Sequence, residues 1–233
     1  MAASLALLAA MPVLRLAAAE EVKRESIEWC DVWITHGTEQ ALPRVLLIGD
    51  SITRAYHGQV EKRLEGKAYV GRLATSKSLG DPALLDEISA VLKQYRFDVI
   101  HFNNGMHGWG YTETEYARAF PKLIDTIHRG APKAKLIWAS TTPVREGADL
   151  KLAARTERVK ERNRIARENC TRLKIPVDDL FGLVIDHPEL SSPDGVHASA
   201  EGISAESAQV ASAIEHSLRP PESREVEWHQ SRQ

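Results

Sequence analysis

Arg44-Val45-Leu46-Leu47-Ile48-Gly49-Asp50-Ser51-Ile52-Thr53 is a short apolar run, closed by a glycine and followed at once by residues that open helices. An aliphatic run of this length bounded by a turn residue reads as a strand buried on both faces. Ser51 to Glu65 then carries helical periodicity. The same unit recurs downstream. Ala68 to Leu73 is a second strand, and Pro82 to Tyr95 a helix whose proline suits its first turn. Asp98 to Phe102 is a third strand, and Thr112 to Arg129 a helix with Thr112 and Glu115 spaced as a capping box. Leu136 to Ala139, a long charged amphipathic helix from Leu150 to Leu173, a short strand from Ile175 to Val177 and a closing helix from Ala200 to Leu218 complete the pattern. Strands alternating with helices predict an α/β fold: a three-layer α/β/α sandwich, flavodoxin-like, around a doubly wound, five-stranded parallel sheet with right-handed crossovers. Upstream, Trp29, Trp33 and Ile34 lie in the polar stretch Glu20 to Pro43, which reads as an extended segment along the sheet edge.

The 233 residues suit one α/β domain, and 43% hydrophobic with 27% charged residues is the balance of a globular protein. Thirty basic against 32 acidic side chains leave a formal charge of -2, so no global field draws the chain to nucleic acid or an anionic membrane. The apolar, alanine-rich start ending in Ala17-Ala18-Ala19 resembles a secretory signal cleaved after Ala19, with Pro12 and Arg15 breaking the run too early for a spanning helix. The expected organisation is a signal at 1–19, one domain at 20–218 and a polar tail at 219–233, in a secreted or periplasmic protein without stable membrane insertion. Cys30 and Cys170 form no CxxC motif; a disulfide between them is open to an exported protein, but two isolated buried thiols is the commoner state for such a pair.

In an open parallel sheet, ligands bind beyond the carboxyl ends of the strands, so polar residues directly after strands are the candidates for chemistry. Ser51 follows the first strand and opens a helix, which presents its hydroxyl at the sheet edge and its N–H as an oxyanion donor. The same residues also serve as helix caps. A hydroxyl nucleophile needs a base, and the base needs a carboxylate to hold its tautomer. Asp194-Gly195-Val196-His197 offers both within one turn, just before the last helix.

These segments resemble the SGNH hydrolases, also called the GDSL esterases and lipases. Gly49-Asp50-Ser51 is similar to the family's nucleophile block, and Asp194-Gly195-Val196-His197 to the block carrying its acid and base. In Thr75-Ser76-Lys77-Ser78-Leu79-Gly80-Asp81, Gly80 looks like the second-block glycine; in Phe102-Asn103-Asn104-Gly105, Asn104 looks like the third-block asparagine. The third block departs from Gly-x-Asn-Asp, since Phe102 replaces the glycine and Gly105 the aspartate. Asn103 is therefore an alternative donor, and the register favours Asn104. The resemblance implies an SGNH-type fold and a triad of Ser51, His197 and Asp194. It also implies an oxyanion hole from the N–H groups of Ser51 and Gly80 and the amide of Asn104, and no cofactor.

His101, His107, Asp98 and Asp178 show no metal-ligand spacing, so no metal is expected. Gly105-Met106-His107-Gly108-Trp109-Gly110 lacks the GxGxxG spacing and reads as a flexible lip of the site. The charges of Lys151 to Arg172 read as a solvated helix surface, with Leu152, Val159, Ile165 and Leu173 as its buried face. Trp109 and Tyr111, in the loop after Asn104, are candidate sugar platforms. With the family's many sugar deacetylases, they point to small acyl, chiefly acetyl, esters on a carbohydrate, either an acylated small molecule or a polysaccharide. The rivals are a lysophospholipase or thioesterase for longer chains and a carbohydrate-binding relative without catalysis.

Overall fold

The computed structural model describes residues 21–219; the signal at 1–19 and all but the first residue of the tail lie outside them. The central sheet is built from β1 (Cys30–Trp33), β2 (Arg44–Gly49), β3 (Tyr69–Thr75), β4 (Val99–Phe102), β5 (Lys135–Ala139) and, after a two-stranded hairpin of β6 (Arg145–Glu146) and β7 (Lys151–Leu152), β8 (Val177–Asp178). Its order is β1-β3-β2-β4-β5-β8. The five expected strands, β2, β3, β4, β5 and β8, are parallel. The sheet has a sixth strand beyond the five expected. β1 runs antiparallel against β3, pairing Cys30 with Thr75 and Trp33 with Arg72. This is the extended edge segment, and it pairs because β3 would otherwise present an open row of backbone groups. Arg72 fastens it, bonding the Asp31 carboxylate at 2.9 Å and packing over the Trp33 ring.

Alternation along β2 explains its unbroken apolar run. Leu46 and Ile48 face one layer, made with α2 (Pro82–Gln94), α3 (Glu113–Gly130) and α4 (Arg155–Leu173). Val45 and Leu47 face the other, made with α1 (Ser51–Arg63) and α6 (Ala200–Leu218). A short α5 (Leu180–Val184) follows β8. Thr112 caps α3 in the expected capping box.

The long charged helix differs from its expected form. It starts at Arg155, because Gly147 and Leu150 both take positive φ and fold residues 145–152 into the hairpin. Leu152 and Leu173 are 43% and 45% exposed. The buried face of α4 is instead Thr156, Val159, Arg162, Asn163, Ile165, Ala166 and Cys170. Polar members are tolerated there because they are bonded: Asn163 pairs with both the N–H and the carbonyl of Thr141, each at 2.8 Å. Neither cysteine is disulfide-bonded; Cys170 is buried in this layer as expected, but Cys30 is exposed, because it lies on the edge strand β1. Among the described residues no helix is long and apolar enough to cross a membrane.

Candidate active site

The chain leaves β2 for β3 on one side and later returns to β4 on the other, so the carboxyl end of β2 is the switch point of the sheet. Crevices open at such points. Ser51 stands there as the first residue of α1. Asp50 caps the helix, its carboxylate accepting the Ile52 N–H at 2.9 Å, and burial raises its pKa.

The loop after β8 and α5 brings the second half of the site. Gly195 has φ +71°, and a Cβ there would sit 2.1 Å from the Arg145 carbonyl oxygen, so only glycine allows this approach. Arg145 N–H in turn donates to the Gly195 carbonyl at 2.7 Å, pinning the loop to β6. The Asp194 carboxylate accepts the N–H groups of Val196 and His197 at 2.8 and 2.9 Å, the Ser192 hydroxyl at 2.8 Å, and lies 2.7 Å from His197 Nδ1. Desolvation opposes ionisation of Asp194, but these hydrogen bonds outweigh it and hold the carboxyl well below the usual carboxylate range. His197 Nε2 lies 2.8 Å from Ser51 Oγ. With Nδ1–H donating to the Asp194 carboxylate, Nε2 is left to accept the serine hydroxyl. The side chains of His197 and Asp194 are 42% and 53% exposed, so the imidazole edge is open to water and substrate.

Ser51 and His197 line a cleft of about 480 Å³ whose far wall is the loop 106–110, with Trp109 in it. One further wall is the segment Lys23–Ser26, which sequence reasoning did not identify. It is strapped across by Lys23 N–H to the Tyr111 hydroxyl at 2.7 Å, Lys23 Nζ to Glu115 at 2.9 Å and Arg24 to Asp81 at 3.0 Å. Glu25 accepts the Gly108 N–H and lies 3.0 Å from His107 Nδ1. No local motif marks this segment, because its partners come from residues 57 to 92 positions away.

The two asparagines after β4 are distinct. Asn103 Nδ2 donates to the Ala139 carbonyl at 2.7 Å and the Thr141 hydroxyl at 3.0 Å, which takes both of its amide hydrogens. Asn104 Nδ2 donates to the Lys77 carbonyl at 3.0 Å, which leaves its second hydrogen unassigned and ties it to the loop that carries Gly80. Against Gly80 lies the Tyr111 ring: a Cβ at position 80 would sit 2.5 Å from it. Tyr111 is thus 6% exposed, and it does not line the Ser51 cleft. This corrects the expectation of a sugar platform at that residue; the ring is held inward by its packing on Gly80 and its bond to Lys23. Trp109 does line the cleft.

Nor is the lip 105–110 the loose element its glycines suggest. Arg162, 1% exposed, donates from Nη1 to the carbonyls of Gly105 and His107 and from Nη2 to that of Gly108. Arg158 donates to the carbonyls of Trp109 and Tyr111. The guanidinium carbons of Arg162, Arg155 and Arg158 lie 4.6, 4.9 and 5.5 Å from the Trp109 ring centroid. The solvated reading of this helix face fails at Arg162 and in part at Arg158, because a guanidinium satisfied by carbonyls can be buried, while Arg155 remains exposed. Their spacing of three and four on one face of α4 was the available signal.

Of the residues weighed as metal ligands, His101 and Asp178 form a buried pair at 2.9 Å, and Gln209 donates to the second Asp178 oxygen. Among the described residues no group of three or more His, Cys, Asp or Glu side chains could hold a metal ion.

Comparison with known proteins agrees with this architecture. The fold is similar to a GDSL-like lipase from Bacteroides thetaiotaomicron (TM-score 0.62, 17% identity, covering 76% of this chain and 89% of that one). It is similar too to an aryl esterase from M. smegmatis (TM-score 0.62, 14% identity, 76% and 100%). A third likeness is to a carbohydrate acetylesterase from Sinorhizobium meliloti (TM-score 0.61, 16% identity, 75% and 99%). No curated protein matches the sequence. The model of the GDSL-like lipase/acylhydrolase family matches residues 47–204, a span that runs from β2 through the Asp194–His197 loop into α6. The chain therefore belongs to the GDSL-like lipase/acylhydrolase family of ester hydrolases.

Proposed function

We propose that the protein is a serine esterase that removes small acyl groups, chiefly acetyl, from carbohydrates by way of an acyl-enzyme. The observation that carries this reading is the continuous chain Ser51 Oγ, His197, Asp194, with links of 2.8 and 2.7 Å at the switch point of the sheet. His197 Nε2 takes the Ser51 proton as Oγ attacks the ester carbonyl. The imidazolium so formed is stabilised by Asp194, which stays ionised. His197 then returns the proton to the leaving alcohol. A water molecule, deprotonated by the same ring, releases the acid.

The oxyanion is assigned to the N–H groups of Ser51 and Gly80 and the remaining amide hydrogen of Asn104. Asn104 is favoured over Asn103 because both amide hydrogens of Asn103 are engaged at the end of β5. The sugar is assigned to Trp109 in the cleft wall, since flat C–H faces pack well on aromatic rings. The likeness to a carbohydrate acetylesterase supports the same substrate class.

A fluorophosphonate probe should label the wild type at Ser51 and leave the Ser51→Ala variant unlabelled. Nitrophenyl esters of increasing chain length test the acyl group. Activity highest on acetyl and falling toward octanoyl is expected. Activity rising along the series would replace this reading with a long-chain acyl hydrolase, and absence of labelling would replace it with a non-catalytic binding protein.

A further inference from the structure

We propose that the sugar whose ester enters this cleft is anionic, and that Arg155 is the residue that recognises its charge. The inference rests on the reading of Ser51 as nucleophile and adds the chemical class of the alcohol. Arg155 lines the same cleft as Ser51 and His197. It is exposed, and its guanidinium carbon lies over the Trp109 ring, 4.9 Å from the centroid.

The neighbouring cations are all neutralised or engaged. Lys23 is paired with Glu115, Arg24 with Asp81, and Arg158 with Glu113 at 2.7 Å. Arg162 is buried on backbone carbonyls. On the acidic side, Glu25 is engaged by His107 and the Gly108 N–H, and Asp194 by four donors. Among the described residues, the cleft therefore holds a guanidinium without a carboxylate partner. Its field is reinforced by the amino end of α4, where Ala154 supplies no side-chain cap.

Stacking on Trp109 matters as much as the charge. A guanidinium lying along an indole keeps its N–H edge free while losing rotamer freedom, so a carboxylate or phosphate meets a preorganised fork. Both Trp109 and Arg155 line the cleft with Ser51, so a sugar ring seated beside the part of the indole that the arginines leave open would bring its acidic group to Arg155 and its acyl ester toward Ser51.

The test compares an acetylated oligouronate with its methyl-esterified counterpart, which has the same sugar and acetyl groups but no charge, and with an acetylated sugar phosphate. Wild type should prefer the acidic oligosaccharide in kcat/KM, chiefly through KM. Arg155→Gln should reduce the ratio of acidic to methyl-esterified substrate by about tenfold or more, the scale of one charge-assisted hydrogen bond. Arg155→Lys should keep part of it. A matching loss on the sugar phosphate would assign the site to anions in general, and a loss on the oligouronate alone would assign it to carboxylates. Inhibition of 4-nitrophenyl acetate hydrolysis by the deacetylated oligouronate gives the same contact without turnover of a sugar ester, and should weaken in Arg155→Gln. Equal handling of charged and uncharged oligosaccharides, or an unchanged ratio and unchanged inhibition in Arg155→Gln, would overturn the proposal. Ser51→Ala separates the two readings: if it is inactive while Arg155→Gln changes nothing, only the anionic substrate falls; if it stays active, the nucleophile assignment falls first.

Discussion

Glu206 offers a test of the packing behind the nucleophile. It lies on α6, 2% exposed, with Oε2 lacking a hydrogen-bond partner. Burial raises its pKa most, and repulsion from Asp50 and Asp178 adds to this, pushing it from the ordinary 4.5 up to about 8. Asp178 is bonded by His101 and Gln209 and Asp50 by the Ile52 N–H, whereas Glu206 keeps an oxygen without a hydrogen-bond partner. The folded state binds the Glu206 proton more tightly than the unfolded chain does. Its contribution to stability is full below about 4.5 and is lost as pH rises through about 8. At about 1.4 kcal/mol per pH unit, that interval sets a ceiling of about 5 kcal/mol. For a domain of this size each kcal/mol moves Tm by about 2–4 °C. Glu206→Gln removes the titration while keeping the side-chain shape. Thermal unfolding should show the variant close to wild type at pH 5 and more stable at pH 9, by up to about 10–20 °C, with the gap opening between. A gap that is constant across this range would refute the reasoning, since it would mean that Glu206 does not change charge in the fold.

Ser51→Ala should abolish ester hydrolysis with a Tm change of only a few degrees, because Asp50 and not Ser51 caps α1; steady-state assay with circular dichroism checks both. Asn104→Ala should lower kcat about 10²–10³-fold with little change in KM, as for a donor used in the transition state. Asn103→Ala should instead lower Tm by several degrees, since it strands the Ala139 carbonyl and the Thr141 hydroxyl. The reverse pattern would exchange the two roles. Gly80→Ala should cost about 1–3 kcal/mol as its methyl meets the Tyr111 ring. The double variant Gly80→Ala/Tyr111→Leu should then be more stable than the sum of the two single losses, and strict additivity in calorimetry would mean the ring and residue 80 are not coupled.

Local pattern was enough to place most of the fold in the sequence. The run Val45 to Ile48 could only be a strand covered on both sides, and the helices announced themselves by periodicity and by caps such as Thr112 with Glu115. Ser51, Asp194 and His197 could be nominated because each stands at an element boundary where a polar side chain needs a reason. Their meeting could not be read locally, since 146 positions separate Ser51 from His197 and only the sheet topology brings them to 2.8 Å. Other outcomes likewise depended on long-range partners. Tyr111 looked like an exposed platform until Gly80 and Lys23 drew it inward, and Arg162 looked solvated until the carbonyls of residues 105–108 satisfied it. Asn103 and Asn104 are indistinguishable in sequence, and it is the carbonyl each one reaches that separates them. Periodicity reports whether a face is buried; it does not say by what. Charge pairing and hydrogen-bond satisfaction depend on that second fact, and so the strap at Lys23–Ser26 and the place of Arg155 over Trp109 emerge only when the chain is folded.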